Sequence, residues 1–236
     1  IKKKIISNPN FNLKKNFSFT FLRNLYAFST SGFDILLISF IGFELLLPDY
    51  RIAAISAGVF TIFLHSINTI LLPEYSSKIQ SNNTANIEQD YNKSSTFMAF
   101  ISLPIFILSI FTYEYFLDTL LKNEYNYSTL IFKILVSSQF ISVLLGPTQY
   151  LIFLFDKNFR LNKIYLYFVI SNILIFYFAL KIGGILSLAV AILLSNIFFR
   201  VMNLMILKKI NFNLINKNRI IILFLYTILL IVSFII

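Results

Sequence analysis

Residues 185–207 read ILSLAVAILLSNIFFRVMNLMIL, an apolar run in which Arg200 is the only charged residue. A helix needs about 20 apolar residues to cross the hydrocarbon core of a bilayer, so this run is long enough to span a membrane. Similar runs cover residues 19–47, 51–72, 95–117, 130–155 and 165–180, and a last one lies at 220–236. The sequence therefore predicts an all-α polytopic membrane bundle of about seven transmembrane helices, with no room for a soluble domain.

The composition agrees with a chain that lies in a membrane. Hydrophobic residues make up 58% of the sequence and the mean hydropathy is +0.79, both well above the values of soluble domains. Cysteine is absent and there is a single histidine, which excludes disulfides, thiolate metal sites and a histidine metal cluster within this chain. Function is thereby restricted to transport, lipid handling or chemistry on a lipid substrate.

The net charge of +10 follows membrane topology rather than a nucleic-acid site. With the N-terminus inside, most Lys and Arg residues fall in the inner segments 1–18, 74–94, 156–164 and 208–219. The outer turns hold only Lys122 and Lys181, the second of these in a tight turn at 181–184, and Arg51 lies at the edge of a span. Because cytoplasmic loops favour Lys and Arg, we predict this orientation, with anionic lipid headgroups as neighbours and no nucleic acid as a partner.

Four segments are expected: a basic cytoplasmic segment at 1–18, a six-helix transmembrane bundle at 19–207, a polar cytoplasmic loop within it at 74–94, and a seventh helix at 219–236. Ile87 and Tyr91 stand four residues apart in the polar loop, which fits either a short amphipathic helix on the inner surface or a solvated loop. The chain begins with Ile rather than Met. We therefore expect the C-terminal half of a longer protein, with the seventh helix truncated at residue 236.

Charged side chains inside the apolar runs are informative, because a charge at bilayer depth is costly and usually faces protein or water. Asp34 follows Arg23 by about three helical turns, so we expect the two residues to share a helix face. Arg23 lies near the inner end and can snorkel to the headgroups. Asp34 cannot, so we expect it to face a neighbouring helix or a cavity, either as the partner of an Arg or Lys or in transport.

Two runs carry stripes of polar and small residues at helical spacing: Ala54, Gly58, Thr61, His65 and Asn68 in the second, and Lys133, Gln139, Ser142, Gly146 and Gln149 in the fourth. Such stripes either let helices pack closely or line a wet cavity. In the sixth run, Asn196, Arg200 and Asn203 share one face, and Arg200 can hold a phosphate bidentately or snorkel to inner headgroups. Polar faces on several spans predict a shared hydrophilic interior.

Motifs of catalysis are missing from the sequence. It contains no Gly-rich phosphate loop, no Asp-x-Asp pair and no Ser-x-x-Lys. The outer connections are short turns, whereas a membrane glycan polymerase or glycosyltransferase usually displays a sizeable outer loop. We therefore expect a protein that is not an enzyme and that holds no cofactor or metal.

The order of several segments is similar to a known family. The segments FDILLIS at 33–39, PDYRIA at 48–53 and LLPEYS at 71–76, followed by KNEY at 122–125 and GILSLA at 184–189, resemble the polysaccharide (O-antigen type) flippase branch of the multidrug/oligosaccharidyl-lipid/polysaccharide exporter superfamily. Pro48, Asn123 and Ser187 stand where that family usually has Gly.

The resemblance implies a fold and a function. The family fold has two six-helix bundles, and this chain resembles the second bundle plus one extra helix. The family moves lipid-linked oligosaccharides, usually on undecaprenyl diphosphate, to the outer leaflet of the cell inner (cytoplasmic) membrane for surface polysaccharides such as the O-antigen of lipopolysaccharide. Coupling to an H⁺ or Na⁺ gradient and contact with other polysaccharide-assembly proteins are also implied. The candidate substrate-binding residues are Arg200, Lys133, Arg51, Asn196, Asn203 and Asp34.

Three other functions stay open at this point. A cation-coupled multidrug exporter of the same superfamily would rely on membrane-embedded acids, of which Asp34 is the one deep example. A membrane glycan polymerase or glycosyltransferase is disfavoured by the short outer loops. A non-transporting scaffold of a glycan-assembly complex is the third. Glycosyltransferase genes beside this one would favour the flippase.

Overall fold

The computed structural model describes residues 13–80, 85–121, 125, 127–146, 148–155 and 160–209. The elements are α1 (Leu13–Ser31), α2 (Phe33–Ile41), a 3-10 turn (Glu44–Leu46), α3 (Leu47–Gly58), α4 (Phe60–Gln80), α5 (Ala85–Leu121), α6 (Ser128–Leu145), α7 (Thr148–Phe155) and α8 (Arg160–Lys209). No strand occurs in these ranges, so the all-α prediction is confirmed. The helix expected at 219–236 lies outside the described residues.

Several of these helices can span a membrane. Four are long and apolar enough to do so, or five if the bent pair α1–α2 counts as one span. Large apolar side chains also lie on the outer surface, including Phe40, Leu45, Tyr115 and Ile182, of which Leu45 is 94% exposed. Such a surface suits lipid rather than water, and the prediction of a polytopic membrane bundle is confirmed.

The first predicted span is broken at Gly32. Helices α1 and α2 meet there at a bend of 43°, so Arg23 and Asp34 lie on different helices. The expectation that they share one helix face is therefore wrong. Helix α2 ends at Ile41 because Gly42 adopts a left-handed φ of 96° and donates its N–H to the Ile38 carbonyl.

Residues 74–94, a polar segment for which the sequence left open a short amphipathic helix or a solvated loop, are largely helical. Helix α4 continues to Gln80 and α5 begins at Ala85, so at most residues 81–84, which lie outside the described ranges, connect them. Lys78 on α4 contacts Glu74 at 2.5 Å and also pairs with Asp90 on α5. The charges join the two helices, and Ile87 and Tyr91 are fully buried against the bundle, which accounts for a helix here rather than a solvated loop.

Helix α8 is a hairpin. Gly184 has φ 68° and ψ −160°, a region that is essentially restricted to glycine. Ser195 Oγ donates a hydrogen bond of 2.5 Å to Asn172 Oδ1, although a straight helix would separate these residues by about 35 Å. The chain therefore doubles back at Gly184, as the turn expected at 181–184 requires. We call residues 160–183 the first arm of α8 and residues 184–209 its second arm.

Helix α6 lies at the centre of the bundle. Of its residues 67% are buried, compared with 28% in the apolar stretch of α5. Tyr113 of α5 stacks on Phe132 of α6 with ring centroids 3.8 Å apart, and Tyr26 of α1 stacks on Phe199 of the second arm at 4.2 Å. Aromatic stacking thus joins α5 to α6 and, in a separate cluster, α1 to the second arm of α8.

We predict that Gly184→Ala destabilises the hairpin by about 1–3 kcal/mol, because an L-residue at this φ and ψ is strained. A Cβ at Gly184 would meet only Phe43 Cε1, at 3.8 Å, so the cost comes from the backbone and not from a clash. Thermal unfolding of the purified protein in detergent measures the effect. Gly58→Ala in α3 is the matched control, since a Cβ there meets nothing within 4 Å. Equal melting temperatures for the two variants would contradict the hairpin geometry.

Candidate functional site

A cavity of about 250 Å³ lies between the end of α1, α2, α3, α6 and the second arm of α8. Its polar lining consists of Thr30, Ser31, Asp34, Tyr50, Arg51 and Gln139. We call it the Asp34 cavity. It brings together two of the residues that the sequence nominated, Asp34 and Arg51, and the chemistry it offers is one buried carboxylate beside one cation.

Asp34 is turned toward protein, as predicted. Its side chain is only 3% exposed; it accepts a hydrogen bond from the Tyr50 hydroxyl and one of 2.9 Å from the Ile35 N–H. A buried carboxylate needs such donors to offset its lost hydration. In the part of the chain that the structure describes, Asp34 forms no ion pair with Lys or Arg. Arg51 follows Tyr50 in the chain and is exposed at the cavity.

A chain of hydrogen bonds lies one helical turn along the second arm from this cavity. The Tyr26 hydroxyl donates to Asn196 Oδ1 at 3.1 Å, and Asn196 Nδ2 donates to Ser138 Oγ at 2.7 Å. These contacts join α1, the second arm and α6. The Asn196 amide is therefore already engaged within the protein, whereas the sequence had nominated it for substrate.

Arg200 lies one further turn along the same arm. Its guanidinium is half-buried and Nη1 donates to the Gly146 carbonyl at 3.2 Å. Tyr91 donates to the carbonyl of Leu145, next to Gly146. Tyr26 stacks on Phe199, the residue before Arg200. Within the described ranges no carboxylate pairs with Arg200 and no second acceptor bonds to it, although a guanidinium carries five N–H donors. Most of its N–H donors are thus without a partner among the described residues.

The two remaining candidates have different positions. Asn203 is fully buried on the same face as Arg200, and its amide nitrogen and oxygen have no partner among the residues that the structure describes. Lys133 is half-buried on α6, about 140° around that helix from Ser138 at 3.6 residues per turn. Lys133 therefore faces away from the polar groups that connect α6 with the second arm.

The fourth predicted span, residues 130–155, is also broken. Gly146 has φ 66° and ψ −164°, which separates α6 from α7. Two carbonyls at the break accept hydrogen bonds from side chains. Tyr91 donates to the Leu145 carbonyl, and Arg200 donates to the Gly146 carbonyl. Broken helices at membrane depth require such partners. The Gly146–Pro147 pair in the sequence is the signal that indicates this break.

A buried amide on the first arm has a structural role. Asn172 Nδ2 donates to Ser29 Oγ at 3.2 Å, and Asn172 Oδ1 accepts from Ser195 at 2.5 Å. One side chain thus ties α1 to both arms of the hairpin. Since all three residues are almost fully buried, these bonds offset the desolvation of their polar groups.

The sequence-based reasoning missed the tyrosine hydroxyls of the site. Tyr50 holds Asp34, Tyr26 holds Asn196, and the Tyr165 hydroxyl donates to Gln149 Oε1 at 3.0 Å. Tyr26 and Thr30 on α1 are separated from Asp34 on α2 by the break at Gly32, so helical spacing does not place them on one stripe. Tyr is abundant throughout this chain, as are Lys, Asn, Ile and Phe, and its distribution does not single out these hydroxyls.

A family model described as polysaccharide biosynthesis protein matches residues 10–130, just over half of the chain. The match includes α2 and α3, which carry Asp34 and Arg51, and ends in α6 before the second arm of α8. No curated protein and no solved structure matches the chain.

Proposed function

The chain belongs to the polysaccharide biosynthesis protein family, and on that premise we propose that it moves a lipid-linked oligosaccharide, carried on undecaprenyl diphosphate, from the inner to the outer leaflet. The product would serve a surface polysaccharide such as the O-antigen of lipopolysaccharide. In this proposal the protein is a transporter and not an enzyme. It resides in the cytoplasmic (inner) membrane and works beside other polysaccharide-assembly proteins.

The proposal rests on Arg200, whose guanidinium has N–H donors without a partner among the described residues. A diphosphate brings at least two negative charges into a low-dielectric slab, where lost hydration is costly. A fixed cation with free N–H donors offsets that cost. Arg200 lies about 14 Å of helix before Lys209, the last described residue of α8, and so lies more than two turns inside the Lys208–Lys209 pair that we place at the inner headgroups.

Residues of the candidate site recur along the second arm of α8 instead of lying at one point. Ile192 lines the Asp34 cavity, Asn196 joins the hydrogen-bonded chain, and Arg200 binds the helix break. Successive members of this series are four residues apart, which is about 6 Å along a helix. A polar face along the centre of an apolar bundle supports passage of a hydrophilic headgroup, with the lipid tail left in the bilayer.

We predict that Arg200→Ala reduces surface polysaccharide by at least about tenfold, because a charge-assisted interaction with phosphate is worth roughly 1.5–3 kcal/mol. Arg200→Lys should keep partial activity, since a point charge remains while the bidentate fork is lost. Surface glycan of cells that depend on each variant is measured, with membrane levels of the protein checked by immunoblot.

Lys208→Ala is the matched control, because Lys208 is an exposed cation at the end of the same arm. It should leave surface glycan at the wild-type level. Normal surface glycan in Arg200→Ala would contradict the proposal and leave Arg200 as a structural ligand of the helix break.

We propose that Asp34 couples transport to an H⁺ or Na⁺ gradient. The supporting observation is a buried carboxylate that borders a cavity and has hydroxyl and N–H partners instead of a cation. Loss or gain of a bound cation there would change the contact with Tyr50 and hence the packing of α2 on α3. A drug exporter of the same superfamily would use such an acid too. The level of surface glycan in Arg200→Ala cells therefore separates a glycan flippase from a drug exporter.

Asp34→Asn is expected to abolish stimulation of transport by an imposed pH or Na⁺ gradient in membrane vesicles, because the amide cannot carry the charge that binds the cation. Asp49→Asn serves as the control. Asp49 is a buried carboxylate whose Oδ1 accepts from the Tyr127 N–H at 3.1 Å, a role that an amide oxygen can keep. Gradient stimulation that survives in Asp34→Asn would exclude this coupling role.

A further inference from the structure

The break between α6 and α7 brings together polar groups that have no hydrogen-bond partner among the described residues. Ser95 Oγ of α5 lies 2.5 Å from the place that a Cβ on Gly146 would occupy, so its hydroxyl faces the break. Thr148 is the first residue of α7. Ser95 and Thr148 are both completely buried, and neither hydroxyl has a hydrogen-bond partner within the described ranges.

The N-terminus of α7 adds further donors at the same place. The first backbone N–H groups of a helix lack helical acceptors, and the helix dipole favours an anion there. The Gly146 carbonyl accepts the Thr148 N–H at 2.9 Å and Arg200 Nη1 at 3.2 Å. The neutral Gly146 carbonyl oxygen therefore accepts hydrogen bonds from both the Thr148 N–H and the Arg200 guanidinium. No carboxylate among the described residues bonds to either donor.

The chemistry of this set selects its ligand. Arg200 and the backbone N–H groups can only donate hydrogen bonds, and the free hydroxyls of Ser95 and Thr148 can donate two more. A sugar hydroxyl is neutral and gains less from a guanidinium and a helix N-terminus than an anion does, and a carboxylate offers only two oxygens. A phosphoryl group offers three oxygens with negative charge and matches both a guanidinium and a helix N-terminus.

We infer that the N-terminal end of α7 binds a phosphoryl group, with Arg200, Ser95 and Thr148 as its side-chain ligands. The identification of that group as the diphosphate of a lipid carrier rests on the proposed function. The ligand replaces the Gly146 carbonyl as the acceptor for Arg200. Because Ser95 and Thr148 are fully buried, the group can reach them only if α5 and α7 separate at the break.

The test uses the purified protein in detergent, titrated separately with inorganic pyrophosphate and with farnesyl diphosphate, by calorimetry. Ser95→Ala and Thr148→Val should each weaken binding roughly tenfold, as expected for loss of a hydrogen bond to a charged group. Neither variant should lower the melting temperature, because the hydroxyls removed have no partner in the structure. A purely structural role for either hydroxyl would lower the melting temperature.

Ser102→Ala is the matched control. Ser102 is fully buried on the same helix as Ser95, but its hydroxyl donates to the Ala99 carbonyl at 3.2 Å, two turns away from the break. This variant should bind both probes with wild-type affinity.

The two probes distinguish the source of the phosphoryl group. If Ser95→Ala and Thr148→Val bind both probes more weakly than the wild type, the site binds a lipid headgroup. Weaker binding of pyrophosphate alone supports it as a site for a soluble anion. Unchanged affinities for both probes, or no binding of either by the wild-type protein, would overturn the inference. Surface glycan in Arg200→Ala cells tests the transport function separately, so the two ideas can fail independently.

Discussion

The hydrogen bond from Arg200 to the Gly146 carbonyl joins the two central elements of the bundle at the point where one of them is broken. A freed carbonyl and a cation are each costly at membrane depth. Their contact reduces both costs without neutralising the charge. Gly146 makes it possible, because its backbone angles are open only to glycine and because a Cβ would meet Ser95 Oγ and the Tyr91 hydroxyl.

The polar groups of the interior divide into two sets by their hydrogen bonds. Asn172 and Asn196 use their amides to join helices, so they account for structure. Arg200, Asn203 and Ser95 retain capacity that the described part of the chain does not use. A static core would lose stability by keeping such groups, so their presence is consistent with a protein whose interior opens to a polar substrate.

Hydropathy was sufficient to predict the helical class, the apolar spans and the turn at 181–184, since each follows from local composition. The burial of Asp34 against protein also followed, because a carboxylate in lipid is too costly. The breaks at Gly32 and Gly146 lie at glycines, and Pro147 follows Gly146, so the sequence carries local signals for both. The helical state of residues 74–94 depends instead on contacts between distant segments. Lys78, for example, pairs with Asp90 across a connection that looked like a polar loop.

The site shows the same limit. Asn196, Arg200 and Asn203 could be placed on one face from their spacing alone. Their spacing could not show which of the three already has hydrogen-bond partners. The partners of Asn196 are Tyr26 and Ser138, which lie 170 and 58 residues away from it in the sequence. Lys133 was nominated by its charge, yet it lies about 140° around α6 from Ser138, which bonds to the second arm.

Transbilayer movement in proteoliposomes tests the central claim most directly. The protein is reconstituted with a fluorescent oligosaccharide linked to a polyprenyl diphosphate, and the fraction that becomes accessible to an external glycosidase is followed with time. The account predicts rapid movement with the wild-type protein and with Ser102→Ala, and the rate of empty liposomes with Arg200→Ala. Equal rates for wild type and Arg200→Ala would contradict it.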